Sequence, residues 1–137
     1  MQFDTKIALV IRTDLEAWQK LNVAAFLSSG IAAAYPECIG APYEDGSATQ
    51  YHALIGQPIL IYGAPDGAAL SRALDRALTR GAKCAVYTED MFKTTHDEAN
   101  RAAVKAIGRT DLNLVGLAFR AERKVVDKIV DGLKFHS

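Results

Sequence analysis

The chain has 137 residues, of which 50% are hydrophobic, and its 16 basic and 16 acidic residues give a formal net charge of zero. This length predicts a single domain, residues 1–137, that buries about two-thirds of its unfolded surface and needs no disulfide or metal to fold. The balanced charge excludes a strong long-range attraction to polyanions, so binding to tRNA would depend on a local patch.

The first strand and helix form the unit to which the rest of the chain is added. The nearly unbroken apolar run from Lys6 to Arg12 predicts a strand that is covered on both faces, near the middle of a sheet. From Trp18 the apolar residues recur at spacings of three and four, which predicts a helix that ends near Ala34 or Tyr35, before Pro36. Its expected buried stripe contains Trp18, Leu21, Val23, Phe26, Leu27, Ile31 and Ala34.

The turn between this strand and this helix is polar, and open α/β sheets bind ligands at such turns. Asp14, Lys20 and Asn22 lie in or near it. A structural interpretation stays open as well, since Asp14 could cap the helix and Lys20 could be a solvated side chain.

The next part of the chain predicts a small hairpin, a strand and a helix. Turn-forming residues between 35 and 54 favour a hairpin at Asp45-Gly46. A second buried strand follows at Ile59–Tyr62, and after it a helix that Asp66 caps and that Gly81 ends in the left-handed conformation.

A third strand, Lys83–Thr88, leads into the most polar stretch of the chain. A strand, a helix and a strand within about thirty residues favour a parallel crossover, so this stretch should open at the same sheet edge as the first polar turn. Lys20 and Asp90 would then face one cleft, with Thr94 and His96 nearby. Thr95 and Glu98 also fit a capping box, which would explain them without any chemistry.

The last part of the chain predicts a helix at about Asp97–Ile107, a strand at Leu112–Phe119 and a final helix that starts near Ala121 and buries residues as far as Leu133. The whole order of elements predicts a three-layer α/β/α fold with a sheet of about four strands.

Several kinds of site are not expected. The chain contains no phosphate-binding glycine loop and no nucleophile elbow, so no cofactor is predicted. His96, Asp97 and Glu98 are consecutive on a helix and point in different directions, so no metal site is predicted either. Cys38 and Cys84 predict reduced thiols in a cytoplasmic protein. The N-terminus from Gln2 lacks the features of a signal peptide, and no segment approaches the ~20 apolar residues of a membrane span.

Six stretches occur in the same order as in the archaeal and eukaryotic type of peptidyl-tRNA hydrolase, which the chain resembles. They are Ile7–Leu15, Lys20–Ala25, Gly56–Pro58, Arg80-Gly81, Glu89-Asp90 with Thr94, and Val126–Ile129 with Gly132–Lys134. The chain as a whole resembles more closely an uncharacterised bacterial family, a domain of unknown function grouped with that hydrolase fold.

The resemblance implies a mixed, mostly parallel sheet, a homodimer, and a site made of a lysine, an aspartate and a threonine. The aspartate and the threonine match Asp90 and Thr94. The hydrolase motif Gly-Lys-x-Ala-Ala-Gln corresponds here to Leu21–Phe26, with Asn22 in place of the lysine and Phe26 in place of the glutamine. Asparagine brings no positive charge to stabilise a phosphate or an oxyanion.

Two main hypotheses follow. The favoured one is a relative with an altered site that binds a small molecule or a protein partner. Its cleft would be lined by Asp14, Lys20, Asn22, Asp90, Thr94, Thr95 and His96.

The alternative is a hydrolase of an acyl ester or amide such as peptidyl-tRNA. Asp90 would act as the base or orient the water, Lys20 would stabilise the developing charge, and Thr94 would position the substrate. A thiol role for Cys84 is a third, weaker hypothesis, since a buried strand position favours an inert residue.

Overall fold

The structure, a computed structural model, describes residues 3–137, so Met1 and Gln2, on which the signal-peptide prediction partly rests, lie outside the described residues. The strands are β1 (Thr5–Arg12), β2 (Tyr43–Glu44), β3 (Gln50–Tyr51), β4 (Ile59–Ala64), β5 (Ala85–Thr88), β6 (Leu114–Glu122) and β7 (Lys134–Phe135). The α-helices are α1 (Ala17–Ala34), α2 (Gly67–Thr79), α3 (Asp97–Lys105) and α4 (Arg123–Ile129). Short 3-10 turns lie at Pro36–Cys38, Glu89–Lys93 and Arg109–Asp111.

Five strands form one mixed sheet in the order β5-β6-β1-β4-β7. β1 pairs in parallel with β4, whereas the β1–β6, β5–β6 and β4–β7 pairings are antiparallel. The predicted mixed sheet is confirmed, but the predictions of about four strands and of mostly parallel pairing are wrong. Since β1, β4 and β5 run in the same direction, their C-terminal ends still share one edge.

The direction of β6 accounts for two of the three antiparallel pairings, those with β1 and with β5. An apolar run that is buried on both faces has the same pattern whichever way it runs. The backbone N–H of Glu89, just after β5, donates to the carbonyl of Asn113, just before β6, over 2.9 Å. β6 therefore starts beside the end of β5 and runs back along it.

The end of the chain also differs from the prediction of one long helix from Ala121 to Leu133. β6 extends to Glu122, and α4 occupies only Arg123–Ile129. Gly132, with a φ of 86°, then turns the chain into β7. A two-residue edge strand carries too few residues to show a periodicity of its own.

Helices cover both faces of the sheet, with α1 on one face and α2 and α4 on the other. The fully buried α1 side chains are those of Val23, Leu27 and Ile31. Gly116 on β6 permits their close packing, because a Cβ atom there would lie 2.6 Å from Cγ1 of Val23 and 3.0 Å from Cδ1 of Leu27.

The predicted bounds of α1 are confirmed, but its predicted single buried stripe is wrong for three large residues. Trp18, Leu21 and Phe26 are 53%, 72% and 56% exposed. The spacing of apolar residues identified the helix correctly, but it assigned too many of them to the helix face that packs on the sheet.

Several local predictions are confirmed. β2 and β3 pair as the predicted hairpin, and the Asp45 carboxylate accepts a hydrogen bond from the Tyr51 hydroxyl over 2.8 Å. Asp66 caps α2 by accepting from the backbone N–H of Ala69 over 2.9 Å, and Gly81 has a φ of 74°. Within residues 3–137, no helix combines the length and the apolar character needed to cross a membrane.

Candidate functional site

A cavity of about 440 Å³ lies between α1, β5 and the segment that leads from β5 into α3. This volume falls in the range of pockets that hold small organic molecules. The lining residues are Trp18, Asn22, Phe26, Leu27 and Ser29 of α1, Ala85–Tyr87 of β5, and Met91, Phe92, Thr94–Asp97 and Asn100 beyond it.

Four aromatic side chains form a continuous wall of the cavity. The ring centroids of Trp18 and Phe92 are 5.7 Å apart, those of Phe92 and Tyr87 5.2 Å, and those of Tyr87 and Phe26 6.0 Å. The successive ring planes are inclined by 69°, 49° and 44°, so the aromatic faces point in different directions. Burial raises the pKa of the Tyr87 phenol, which keeps the wall uncharged.

Uncharged polar groups make up much of the rest of the lining. Asn22 comes from α1 and Asn100 from α3, while Thr94 and Thr95 lie between the 3-10 turn and α3. The Thr94 hydroxyl donates to the Met91 carbonyl over 2.9 Å and is also hydrogen-bonded to the Asn100 side chain. Thr94 and Asn100 are therefore held in place, whereas Asn22 and Thr95 are exposed and free to meet a ligand.

His96 caps α3, so the predicted capping box of Thr95 and Glu98 is wrong by one residue. Nδ1 of His96 accepts a hydrogen bond from the backbone N–H of Ala99 over 3.1 Å. In the neutral ring the proton then lies on Nε2. Because the cap uses the basic lone pair of the imidazole, His96 cannot serve as a general base while this hydrogen bond is formed.

Among the described residues, Asp97 is the one carboxylate in the lining of this cavity, and no lysine or arginine is part of that lining. Its carboxylate forms an ion pair with Arg101, one turn further along α3, and both side chains are 73% exposed. An exposed pair of this kind contributes little and is readily broken. The cavity therefore carries a weakly engaged negative charge and no permanent positive one.

The other predicted site residues lie elsewhere. Lys20 lines a separate concavity of about 480 Å³ with Ile61 and His136. Asp90 is exposed in the 3-10 turn and lines neither cavity. The structure thus brings together Asn22, Thr94, Thr95 and His96 and separates them from Lys20, Asp90 and Asp14.

Asp14 is paired with Arg12, and the predicted option that it caps α1 is wrong because Glu16 is the N-cap. Nε and Nη2 of Arg12 donate to the two carboxylate oxygens of Asp14 over 2.9 and 2.8 Å. These hydrogen bonds lower the pKa of Asp14, and the charge of Lys20 adds a smaller effect in the same direction. Asp14 therefore has a structural partner at the sheet edge.

The remaining chemical candidates supply no further site. Burial raises the pKa of the half-buried Cys84 thiol to about 11, so very little reactive thiolate exists at neutral pH. Cys84 also precedes β5 instead of lying within it. Residues 3–137 bring no three His, Cys, Asp or Glu side chains together as metal ligands.

The sequence interpretation placed Phe26 at the motif position of the hydrolase glutamine, but it missed the rest of the aromatic wall, Asp97 and Asn100. One signal could have revealed part of this wall. Trp18, Asn22 and Phe26 follow each other at intervals of four residues, a spacing that places side chains on one helix face. Phe92 and Asn100 carried no comparable signal, because irregular structure brings them to the cavity.

Comparisons with known proteins give a family but no activity. A family model described as "Protein of unknown function (DUF2000)" matches residues 5–137. A solved structure of a protein of unknown function from Agrobacterium tumefaciens strain C58 is 47% identical, with a TM-score of 0.96, and the match covers 99% of this chain and 100% of that one. No curated protein matches the chain. The predicted likeness to a family of unknown function is confirmed, and the likeness to peptidyl-tRNA hydrolase stays a prediction.

Proposed function

Since the chain belongs to the DUF2000 family of proteins of unknown function, we propose a function from its own cavity: it binds a small organic molecule between α1, β5 and α3. The observation that carries this proposal is the 440 Å³ cavity with its aromatic wall. Apolar walls with a few convergent polar groups are typical of small-molecule sites. Trp18 and Phe26 are large apolar side chains that stay about half exposed there, and a ligand would cover them.

The lining supports binding more than catalysis. Asn22 and Asn100 can donate and accept hydrogen bonds but do not transfer protons, and the basic lone pair of His96 is used in the cap. Tyr87 is protonated at neutral pH, since the ordinary pKa of a tyrosine is 10.0 and burial raises it further. A site of this composition can hold and orient a ligand, and the one lining carboxylate that could accept a proton, that of Asp97, is ion-paired with Arg101.

The experiment uses Trp18, the single tryptophan of the chain, as a reporter in the cavity wall. We expect compounds from a library of small neutral, cationic and anionic molecules to change Trp18 fluorescence in a saturable way. Ser29→Tyr places a bulky group in the lining and should weaken binding, whereas Ala25→Tyr, on an exposed part of α1 outside the cavity, should not. A library without a saturable response, or equal binding to both variants, would contradict the proposal.

A hydrolase stays the second candidate because of one observation. Asn22 and Thr94, which match the lysine and threonine positions of peptidyl-tRNA hydrolase, line the same cavity. The test is turnover of peptidyl-tRNA by the wild-type protein and by Asn22→Ala and Thr94→Ala, with Lys20→Ala as the control outside this cavity. Our first proposal predicts no turnover, and turnover that is lost in both cavity variants and kept in Lys20→Ala would establish the hydrolase instead.

A further inference from the structure

We propose that the cavity selects an organic ammonium cation over neutral and anionic molecules. This inference rests on the proposed small-molecule function and specifies the class of ligand. Two features of the lining carry it: aromatic faces that point in several directions, and one carboxylate, that of Asp97, with no lysine or arginine among the lining residues.

The aromatic wall suits a cation. The faces of aromatic rings attract ammonium groups, and several rings turned toward one space form the cage that binds quaternary ammonium ligands. Trp18, Phe92, Tyr87 and Phe26 form a continuous series of rings, and no two successive planes in it are parallel. A flat ligand can stack on only one of these inclined faces at a time, whereas a compact, roughly spherical ammonium group can contact several of them at once.

The charges around the aromatic wall also favour a cation. The Trp18 indole N–H donates to Oε2 of Glu16 over 2.7 Å, and this hydrogen bond to a carboxylate increases the electron density of the ring. Asp97 adds the one formal charge in the lining. An anion would find neither lysine nor arginine there, and desolvating a charge without a partner is unfavourable.

The N-terminus of α3 also faces this region and would by itself favour an anion. Its positive end is already occupied, because His96 caps it and the carboxylates of Asp97 and Glu98 lie in its first turn. The first turn of α3 therefore does not reverse the negative balance of the cavity.

The test compares three probes by titration of Trp18 fluorescence: choline, its neutral isostere 3,3-dimethylbutan-1-ol, and inorganic phosphate. Choline and the isostere share their shape and their hydroxyl, so they differ essentially in charge. We expect choline to bind about 2- to 30-fold more tightly than the isostere, which is the range that cation–π contacts supply. Phosphate should leave the fluorescence unchanged.

Two variants separate the contribution of an aromatic face from that of the carboxylate. Phe92→Leu keeps an apolar side chain but removes an aromatic face, so it should weaken choline binding and leave the isostere nearly unaffected. Asp97→Asn should weaken choline several-fold, while Glu98→Gln, the matched change of a neighbouring carboxylate outside the lining, should not. Circular dichroism of each variant confirms that it is folded.

Isostere binding as tight as that of choline, or a fluorescence change with phosphate alone, would overturn the cation inference and leave small-molecule binding intact. Choline binding that is unchanged in Phe92→Leu and Asp97→Asn would also overturn it. Failure of the proposed function itself is a different result, namely that no compound of the wider library changes Trp18 fluorescence.

Discussion

Trp18 shows how one side chain can serve both the fold and the site. Its indole N–H holds Glu16, the N-cap residue of α1, and its ring contacts Phe92 from the segment before α3. The side chain thereby links the start of the helix to the segment that leads from β5 into α3. A large aromatic residue that keeps about half of its surface exposed in this position is more informative than an exposed leucine on a plain surface.

The pair of Arg12 and Asp14 gives a residue-scale prediction. The pKa of Asp14 is lowered below its ordinary value of 3.8, so the pair stabilises the protein above that value and its contribution is lost as the pH falls through the folded-state pKa. The Asp14 side chain is 52% exposed, which limits the effect to about 0.2–1 kcal/mol. We expect Asp14→Asn to lower the free energy of unfolding by this amount at pH 7.

Urea unfolding of the wild type and of Asp14→Asn at pH 7 and at about pH 3 checks this prediction. The difference between the two proteins should shrink at the lower pH, because the Asp14 carboxylate of the unfolded chain, with its ordinary pKa of 3.8, is then largely protonated. An equal difference at both pH values would mean that the charge of Asp14 does not account for its effect.

At the scale of the element, α1 has three sides, each with different surroundings. Val23, Leu27 and Ile31 pack on the sheet, Trp18, Asn22 and Phe26 line the cavity, and Lys20 and Leu21 line the second concavity. The periodicity of the sequence predicted the helix and its ends, because helix spacing and Pro36 are local signals. It could not divide the apolar residues among these sides, since that depends on which neighbouring elements are present.

Gly116 gives a prediction about the packing of α1 on the sheet. Gly116→Ala would bring a Cβ atom to within 2.6 Å of Val23 and 3.0 Å of Leu27, in a tightly packed interior. We expect it to lower the free energy of unfolding by about 1–3 kcal/mol, the usual effect of overpacking. Gly108→Ala is the control, because no atom lies within 4 Å of its added Cβ and its φ of −68° suits alanine. Chemical denaturation that finds equal losses for both would contradict this view of the packing.

At the scale of the whole molecule, the sequence predicted the α/β class and the shared edge of the strands that precede the polar turns. It did not predict the direction of β6 or the presence of β7, because strand pairing joins residues that are far apart in the chain. Part of the lining of the candidate cavity could be predicted from the sequence. Asn22, Thr94, Thr95 and His96 do share a cavity, but Lys20 lies across α1 from it. The homodimer and the cytoplasmic location stay predictions.

The most direct test of the central claim, that the cavity between α1, β5 and α3 holds a small organic molecule, is an NMR titration of the isotopically labelled protein with choline and with 3,3-dimethylbutan-1-ol. We predict that the largest chemical-shift changes occur at the Trp18 indole N–H and at the side-chain amides of Asn22 and Asn100. Changes centred instead on Lys20, Ile61 and His136 would move the site to the second concavity and contradict the account.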